Sequence, residues 1–213
     1  MSPPAYSRAA QMVVATAPRM MGVNQGQRVG RPRRSSREMI EDAAAELFLE
    51  QTYDGTTVEQ IAQRAGVSRN TFFNYFASKS DVLWVDVDLS IEHLAAELAR
   101  PRELTVTEAV REAILHAARQ HSSDRVPWAF TQADLMQTHA ELQASALSRL
   151  LRAATMIERF ASSVLPSPRV FAYAVLGATV GAASRWIDAG TPRRPLVEYV
   201  EPAITTVCAA DWR

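Results

Sequence analysis

The chain has one cysteine, Cys208, and one lysine, Lys79, among its 213 residues. A single thiol closes no internal disulfide and builds no thiolate metal cluster. With no recognisable export signal, this suits a reducing cytoplasm. The stretch Met12–Ala17 is too short for a secretory core, and the longest apolar runs are too interrupted to span a bilayer. No membrane association is therefore expected. The four histidines, His93, His116, His121 and His139, lie 23, 5 and 18 residues apart. None of them forms the i,i+4 pair that a helix-borne metal site needs. A Gly-rich phosphate loop, a nucleophile elbow and a Cys–His pairing are all missing. No enzyme, cofactor or metal site is expected, and an enzyme on a helical scaffold is a minor alternative.

Acidic residues are missing from one end only. Residues 1–37 hold seven arginines and no Asp or Glu, although the whole chain balances at zero net charge with 23 residues of each sign. The remainder thus carries 16 basic against 23 acidic side chains, a net of −7. A basic arm on an acidic body suggests a chain that meets a polyanion at one end. Residues 1–34 are rich in Pro, Gly and Ser without periodicity, and the expectation is a largely disordered arm. Its first part reads as a solvated leader. Arg33, Arg34 and Arg37, close to the first helix, are candidates to lie along phosphate or in a minor groove.

What is abundant is helix. Hydrophobic residues make up 47% of the chain, no stretch alternates as strands do, and the apolar positions recur at helical spacing. The expected fold is all-α, with a three-helix unit over residues 35–78 and a larger helical domain over 79–213. Ile40, Ala43, Ala44, Leu47 and Phe48 form an apolar stripe behind a start near Ser35 or Ser36. A long helix is expected over residues 80–100, and others over 106–121, 127–138, 140–164, 168–189 and 195–209.

Residues 57–76 organise the rest. Thr57 with Gln60 makes a capping box, and Val58, Ile61, Ala62 and Ala65 give one buried face. Gly66 sits where a helix end needs a left-handed residue, and Ser68 caps a second helix that begins at once. That is a helix-turn-helix, whose second helix enters the DNA major groove. Thr56-Thr57-Val58, Ile61-Ala62, Ala65-Gly66-Val67-Ser68 and Thr71-Phe72-Phe73-Asn74-Tyr75-Phe76, followed by Ser78-Lys79, resemble the DNA-binding domain of TetR-family transcriptional regulators over residues 38–84. Three positions depart from that pattern. Thr52 and Asn70 stand where the family often has Gly. Phe73 stands where it usually has Tyr and cannot donate the phosphate hydrogen bond implied for that hydroxyl.

The outer face of the second helix offers Ser68, Arg69, Asn70, Thr71, Phe73, Asn74 and Tyr75. Arg69 suits guanine and Asn74 adenine. Thr57, Thr71 and Tyr75 suit phosphates, and for Lys79 the resemblance implies a phosphate contact. Phe72 and Phe76 are expected in the core. The resemblance also implies a homodimer through the last two long helices. Tyr173, Gly177, Val180, Gly181, Ser184, Val200 and Ile204 are the candidates, with internal packing of the same helices as the alternative.

The resemblance further implies an enclosed inducer pocket. Trp84, Asp88, Trp128, Phe130, Met136, Met156, Phe160 and Trp186 are the candidates for a largely apolar ligand, an ordinary core being the plainer reading. Asp86 and Asp88 are expected to be solvated or paired to arginine. The run Trp84-Val85-Asp86-Val87-Asp88 is similar to regulators associated with mycofactocin, for which an acyl-coenzyme A effector is implied. The expected function is a repressor of operator DNA released by that effector. The alternative is a helical adaptor whose reader no longer binds DNA.

Overall fold

The computed structural model describes residues 35–101, 103–123 and 126–212. Arg33 and Arg34, and the arm as a whole, lie outside the described residues. Those described form helices joined by turns, with no strand.

Local sequence signals set the boundaries of the first three helices. Helix α1 (Ser36–Gln51) starts where the Ser35 hydroxyl accepts the Glu38 N–H while the Glu38 carboxylate accepts that of Ser35. Its expected stripe is buried. The helix ends at Thr52, with φ 65° and ψ 167°. That region is populated almost only by glycine and is strained for a β-branched residue. Tyr53 then folds back, its ring 5.1 Å from that of Phe48. A Cβ on Gly55 would fall on the Gln51 carbonyl, so this turn requires glycine. Helix α2 (Val58–Arg64) opens with the Thr57–Gln60 box, Gly66 turns at φ 69°, and α3 (Arg69–Tyr75) is capped by Ser68. Phe72 and Phe76 are buried, as expected.

Residues 80–100 do not form one helix. Ser80–Trp84 is a 3-10 turn and α4 runs Val85–Leu98. Asp81 accepts the Ser78 N–H at 2.8 Å, and such short tight segments are common at helix starts. Residues 127–138 likewise divide, into α6 (Trp128–Thr131) and α7 (Ala133–Met136) behind α5 (Val106–Arg119). Gln137 at φ 55° closes α7. Helices α8 (His139–Ala161), α9 (Pro168–Asp188) and α10 (Leu196–Cys208) complete the chain.

Two apolar cores result. The first joins α1–α3 and the 3-10 turn to Ala129, Ala133, Met136 and Leu142, so it is not confined to residues 35–78. The Tyr53 N–H donates to the Met136 carbonyl at 2.9 Å, tying α7 to the turn after α1. The second core gathers Leu94 with α5 and the inner faces of α8, α9 and α10. Among the described residues one helix, Pro168–Asp188, is long and apolar enough to cross a bilayer, contrary to the sequence expectation. Its inner residues Phe171, Ala172, Val175, Ala182 and Trp186 are packed inside the protein.

Candidate functional site

The reader surface is α3 and what supports it. Arg69, Asn70, Phe73, Asn74 and Tyr75 are exposed, with Phe73 at 41% and Tyr75 at 46%. Arg69 is oriented twice: Nε donates to Glu59 at 2.5 Å and the guanidinium lies 4.9 Å from the Phe73 ring centroid. An apolar ring at position 73 thus serves as a shelf for a cation. The Ser68 hydroxyl accepts the Thr71 N–H and lies 2.8 Å from the Thr71 hydroxyl. The Thr57 hydroxyl accepts the Gln60 N–H and remains exposed. Arg64 straddles Glu46 and Glu50, at 3.2 and 2.7 Å, and fixes α2 against α1.

Lys79 departs from its expected place. Its ammonium donates to the Tyr53 and Thr56 carbonyls, both at 2.8 Å, and lies 3.9 Å from the Tyr53 ring centroid. Burial depresses its pKa, against the pull of Asp54 and Glu141. The lysine closes the turn after α1, and two of its three protons are committed inside the protein. Arg37 bonds Glu41 at 2.9 Å and lies 5.5 Å from the Phe76 ring. Glu41 in turn is pushed up in pKa by its burial, which outweighs Arg37.

Behind the reader lies a cavity of about 360 Å³ between α4, α5, α8, α9 and α10. Trp84, Phe130 and Trp186 line it together with Leu94, Ile114, Leu150 and Leu176. The other expected ligand residues lie elsewhere. Met136 is fully buried in the first core, and Trp128 packs on Phe48 with ring centroids 6.3 Å apart. Phe160 packs into the second core, and neither it nor Met156 reaches the cavity wall. Size and softness suited these residues to a pocket, but Met136, Trp128 and Phe160 pack into the two cores instead.

Sequence reasoning missed the polar groups in the wall: Ser90, His121, Arg149, Thr179 and Ser184. His121 Nε2 and the Ser90 hydroxyl are 2.7 Å apart, and the Ser90 hydroxyl donates to the Asp86 carbonyl. Burial lowers the His121 pKa more than Asp86 raises it, which favours the neutral ring. Arg149, on α8, holds two carboxylates. Nε and Nη2 bond Asp88 at 2.9–3.2 Å, and Nη2 also reaches Asp81 at 2.9 Å. The guanidinium stacks 5.0 Å from the Trp84 ring, and Arg152 adds a second contact to Asp88. Asp88 is thus paired to arginine, the local reading made from its sequence context, and does not line the cavity. Asp81 also caps Ser78, so cavity wall and reader meet in one hydrogen-bonded cluster.

The outer surface of α8 and α9 is apolar. Leu147, Leu151, Val170, Tyr173 and Val180 are 60, 44, 61, 49 and 43% exposed. A Cβ added at Gly177 or Gly181 would meet nothing within 4 Å. Val200 and Ile204 do not share that surface. Both are fully buried, because the apolar stripe of α10 packs inward onto α9 and α5. Val200 lines the cavity from inside, and Val180 and Ser184 line it as well as being exposed.

An exposed recognition helix joined to a helical body with an apolar cavity defines a ligand-binding transcriptional regulator. A model of the bacterial regulatory proteins of the tetR family matches residues 40–83, and one of the MftR C-terminal domain matches residues 104–210. The chain belongs to the TetR family. It is 28% identical over 167 residues to a protein of Mycobacterium tuberculosis described as the mycofactocin biosynthesis regulator MftR, covering 75% of this chain and 84% of that one. Two solved structures share the fold. The fatty acid degradation regulator FadR of Bacillus halodurans is 18% identical with a TM-score of 0.56, over 84% of this chain and 98% of that one. FadR of Bacillus subtilis, in complex with stearoyl-CoA, is 19% identical with a TM-score of 0.55, over 81% and 97%.

Proposed function

We propose that the chain is a cytoplasmic, homodimeric repressor that leaves its operator when a largely apolar effector, an acyl-CoA by preference, fills the cavity. The cavity carries this reading: its wall includes Trp84 and Arg149, which belong to the cluster that also holds Ser78, at the entry to the 3-10 turn before α4. That the FadR structure of Bacillus subtilis is a complex with stearoyl-CoA supports the effector class.

In this reading Arg69 and Asn74 meet base edges, while Asn70, Tyr75, Thr57, Ser68 and Thr71 position the helix on the backbone with Arg33, Arg34 and Arg37 as the flanking arm. Phe73 supports Arg69, and Lys79 leaves the set of phosphate donors. The outer surface of α8 and α9 meets the partner protomer, α10 being spent on the core. One short helix reads few bases, and a two-fold dimer doubles the reading at half-sites about 34–36 Å apart. Effector binding favours a conformation whose two reading helices no longer match successive grooves.

The test is fluorescence anisotropy with labelled DNA from the protein's own promoter region, at low ionic strength. Binding should weaken steeply as salt rises, through counterion release, and long-chain acyl-CoA should release the DNA. Indifference to that DNA, with and without effector, refutes the proposal.

A further inference from the structure

We propose that the hollow around Arg193 is an oxyanion subsite, which holds the charged head of an amphiphilic effector whose apolar part fills the adjoining cavity. This rests on the effector reading above and adds the head-group chemistry to it.

Arg193 lies in the connection between α9 and α10. Its Nε donates to the Gly190 carbonyl at 2.8 Å, which fixes the side chain, while Nη1 is buried and has no hydrogen-bond partner among the described residues. A buried guanidinium N–H without an acceptor is costly, and proteins leave few such groups unless something else satisfies them. The same hollow is lined by Ser123, Thr131 and Thr191. The Thr131 hydroxyl gives its proton to the Trp128 carbonyl at 3.3 Å, so the Ser123 and Thr191 hydroxyls and the guanidinium form the donor set, one suited to a carboxylate or a phosphate.

The hollow and the cavity have no lining residue in common, but Arg193 of the one packs against Trp186 of the other. Trp186 lines the cavity, and the Arg193 guanidinium lies 5.7 Å from its ring centroid. The indole is itself fixed, because its Nε1 donates to the Arg194 carbonyl at 3.0 Å. Val126 lines the hollow and its neighbour Pro127 the cavity; Arg193 lines the hollow and Leu196 the cavity. Arg149 is the other arginine in reach of an effector, and it is unsuited to an anion. Its Nε and Nη2 are taken by Asp81 and Asp88 and its Nη1 by the Ser145 carbonyl, so a second negative charge there would meet two carboxylates.

The test compares three ligands with one apolar chain and different heads: lauryl alcohol, laurate and lauroyl-CoA, titrated calorimetrically into the full chain. The wild type should bind at least one anion about tenfold more tightly than the alcohol, the increment of one hydrogen bond to a charged group. Whichever anion gains identifies a carboxylate or a phosphate as the head. Arg193→Met should abolish the difference and leave alcohol binding unchanged, and Arg193→Lys should restore part of it. Equal binding of all three by the wild type overturns the subsite alone, as does an undiminished preference in Arg193→Met. Equal losses for alcohol and anions in Arg193→Met also overturn it, since Arg193 would then only brace Trp186. If none of the three binds the wild type, the effector reading fails and the subsite with it.

Discussion

The Arg149 cluster should couple the stability of the body to that of the reader, and a double-mutant cycle between Arg149→Met and Asp81→Asn measures it. The Arg149 side chain is 11% exposed, and those of Asp81 and Asp88 are 27% and 21%. Removing the guanidinium would leave two partly desolvated carboxylates facing the space it vacated. Losing one partner of a fully buried pair costs about 3–5 kcal/mol. Solvent screening at this exposure reduces that to roughly 2–3 kcal/mol. For a chain of this size that lowers Tm by roughly 4–12 °C. The coupling energy between the two substitutions should be about 1–2 kcal/mol, as for side chains in one hydrogen-bonded network. Denaturant titration of both single variants and the double variant gives it directly. A coupling near zero would refute the claim that Arg149 joins α8 to the 3-10 turn that precedes α4.

The same cycle has a pH signature. Burial alone would raise the Asp81 carboxyl, but hydrogen bonds from Arg149 and Ser78 together outweigh it and hold its pKa below the usual carboxylate range. A depressed acid contributes stability that is fully present above the unfolded-state pKa and is lost as pH falls through the folded one. The wild type should therefore lose stability on acidification below that range by an amount that Asp81→Asn does not show. Parallel curves for the two proteins would remove Asp81 from the ion pair.

Thr52→Gly should relieve a conformation that costs about 1–3 kcal/mol, less the extra chain entropy of glycine; the net expected is about 1 kcal/mol, read as a Tm rise of roughly 2–4 °C. Lys79→Met removes two charge-assisted bonds to carbonyls and should lower stability by about 1–3 kcal/mol, while operator affinity of the folded protein changes less than stability does. Phe73→Tyr should restore a phosphate donor and strengthen operator binding by about 0.5–1.5 kcal/mol at low salt, visible by anisotropy. Arg69→Ala should cost about 1–3 kcal/mol and relax selectivity at one operator position, and unchanged selectivity against a panel of point-substituted operators would count against base contact.

The parts of the fold that the sequence predicts are those fixed by neighbours in the chain. Ser35, Thr57 and Ser68 cap helices through groups three residues away, and Gly66 supplies a backbone angle of its own. Such signals are short and need no tertiary context. Asp88 and Arg149 are 61 residues apart and Asp81 and Arg149 are 68 apart, and nothing near either end of those pairs announces the other. The candidate cavity residues show the same limit. Trp84, Phe130 and Trp186 line it, yet Met136 is of equally suitable type and packs into the other core. Residue type says that a side chain leaves water, not which core it enters. The inward stripe of α10 is the clearest case: Val200 and Ile204 look like an interface until α9 and α5 are placed against them.

Helix α9 ties these threads together, because two of its faces overlap. Leu176, Thr179, Val180 and Ala183 turn toward the cavity, while Tyr173, Gly177, Val180, Gly181 and Ser184 turn toward solvent. The spacings of three and four residues place these stripes side by side on one helix, and they share Val180. Leu150 of α8 and Ser184 of α9 likewise line the cavity and remain exposed. The cavity therefore reaches the surface on the face proposed for the partner protomer. With a partner seated there, a ligand that displaces Val180 or Leu150 also moves side chains at the interface. The two glycines permit the backbones to approach closely, and closely packed interfaces switch between discrete arrangements more readily than they deform. In the proposed dimer a second copy of the chain would cover this apolar outer face, which by length and composition alone suits a membrane span, and effector and partner would act on the same few residues.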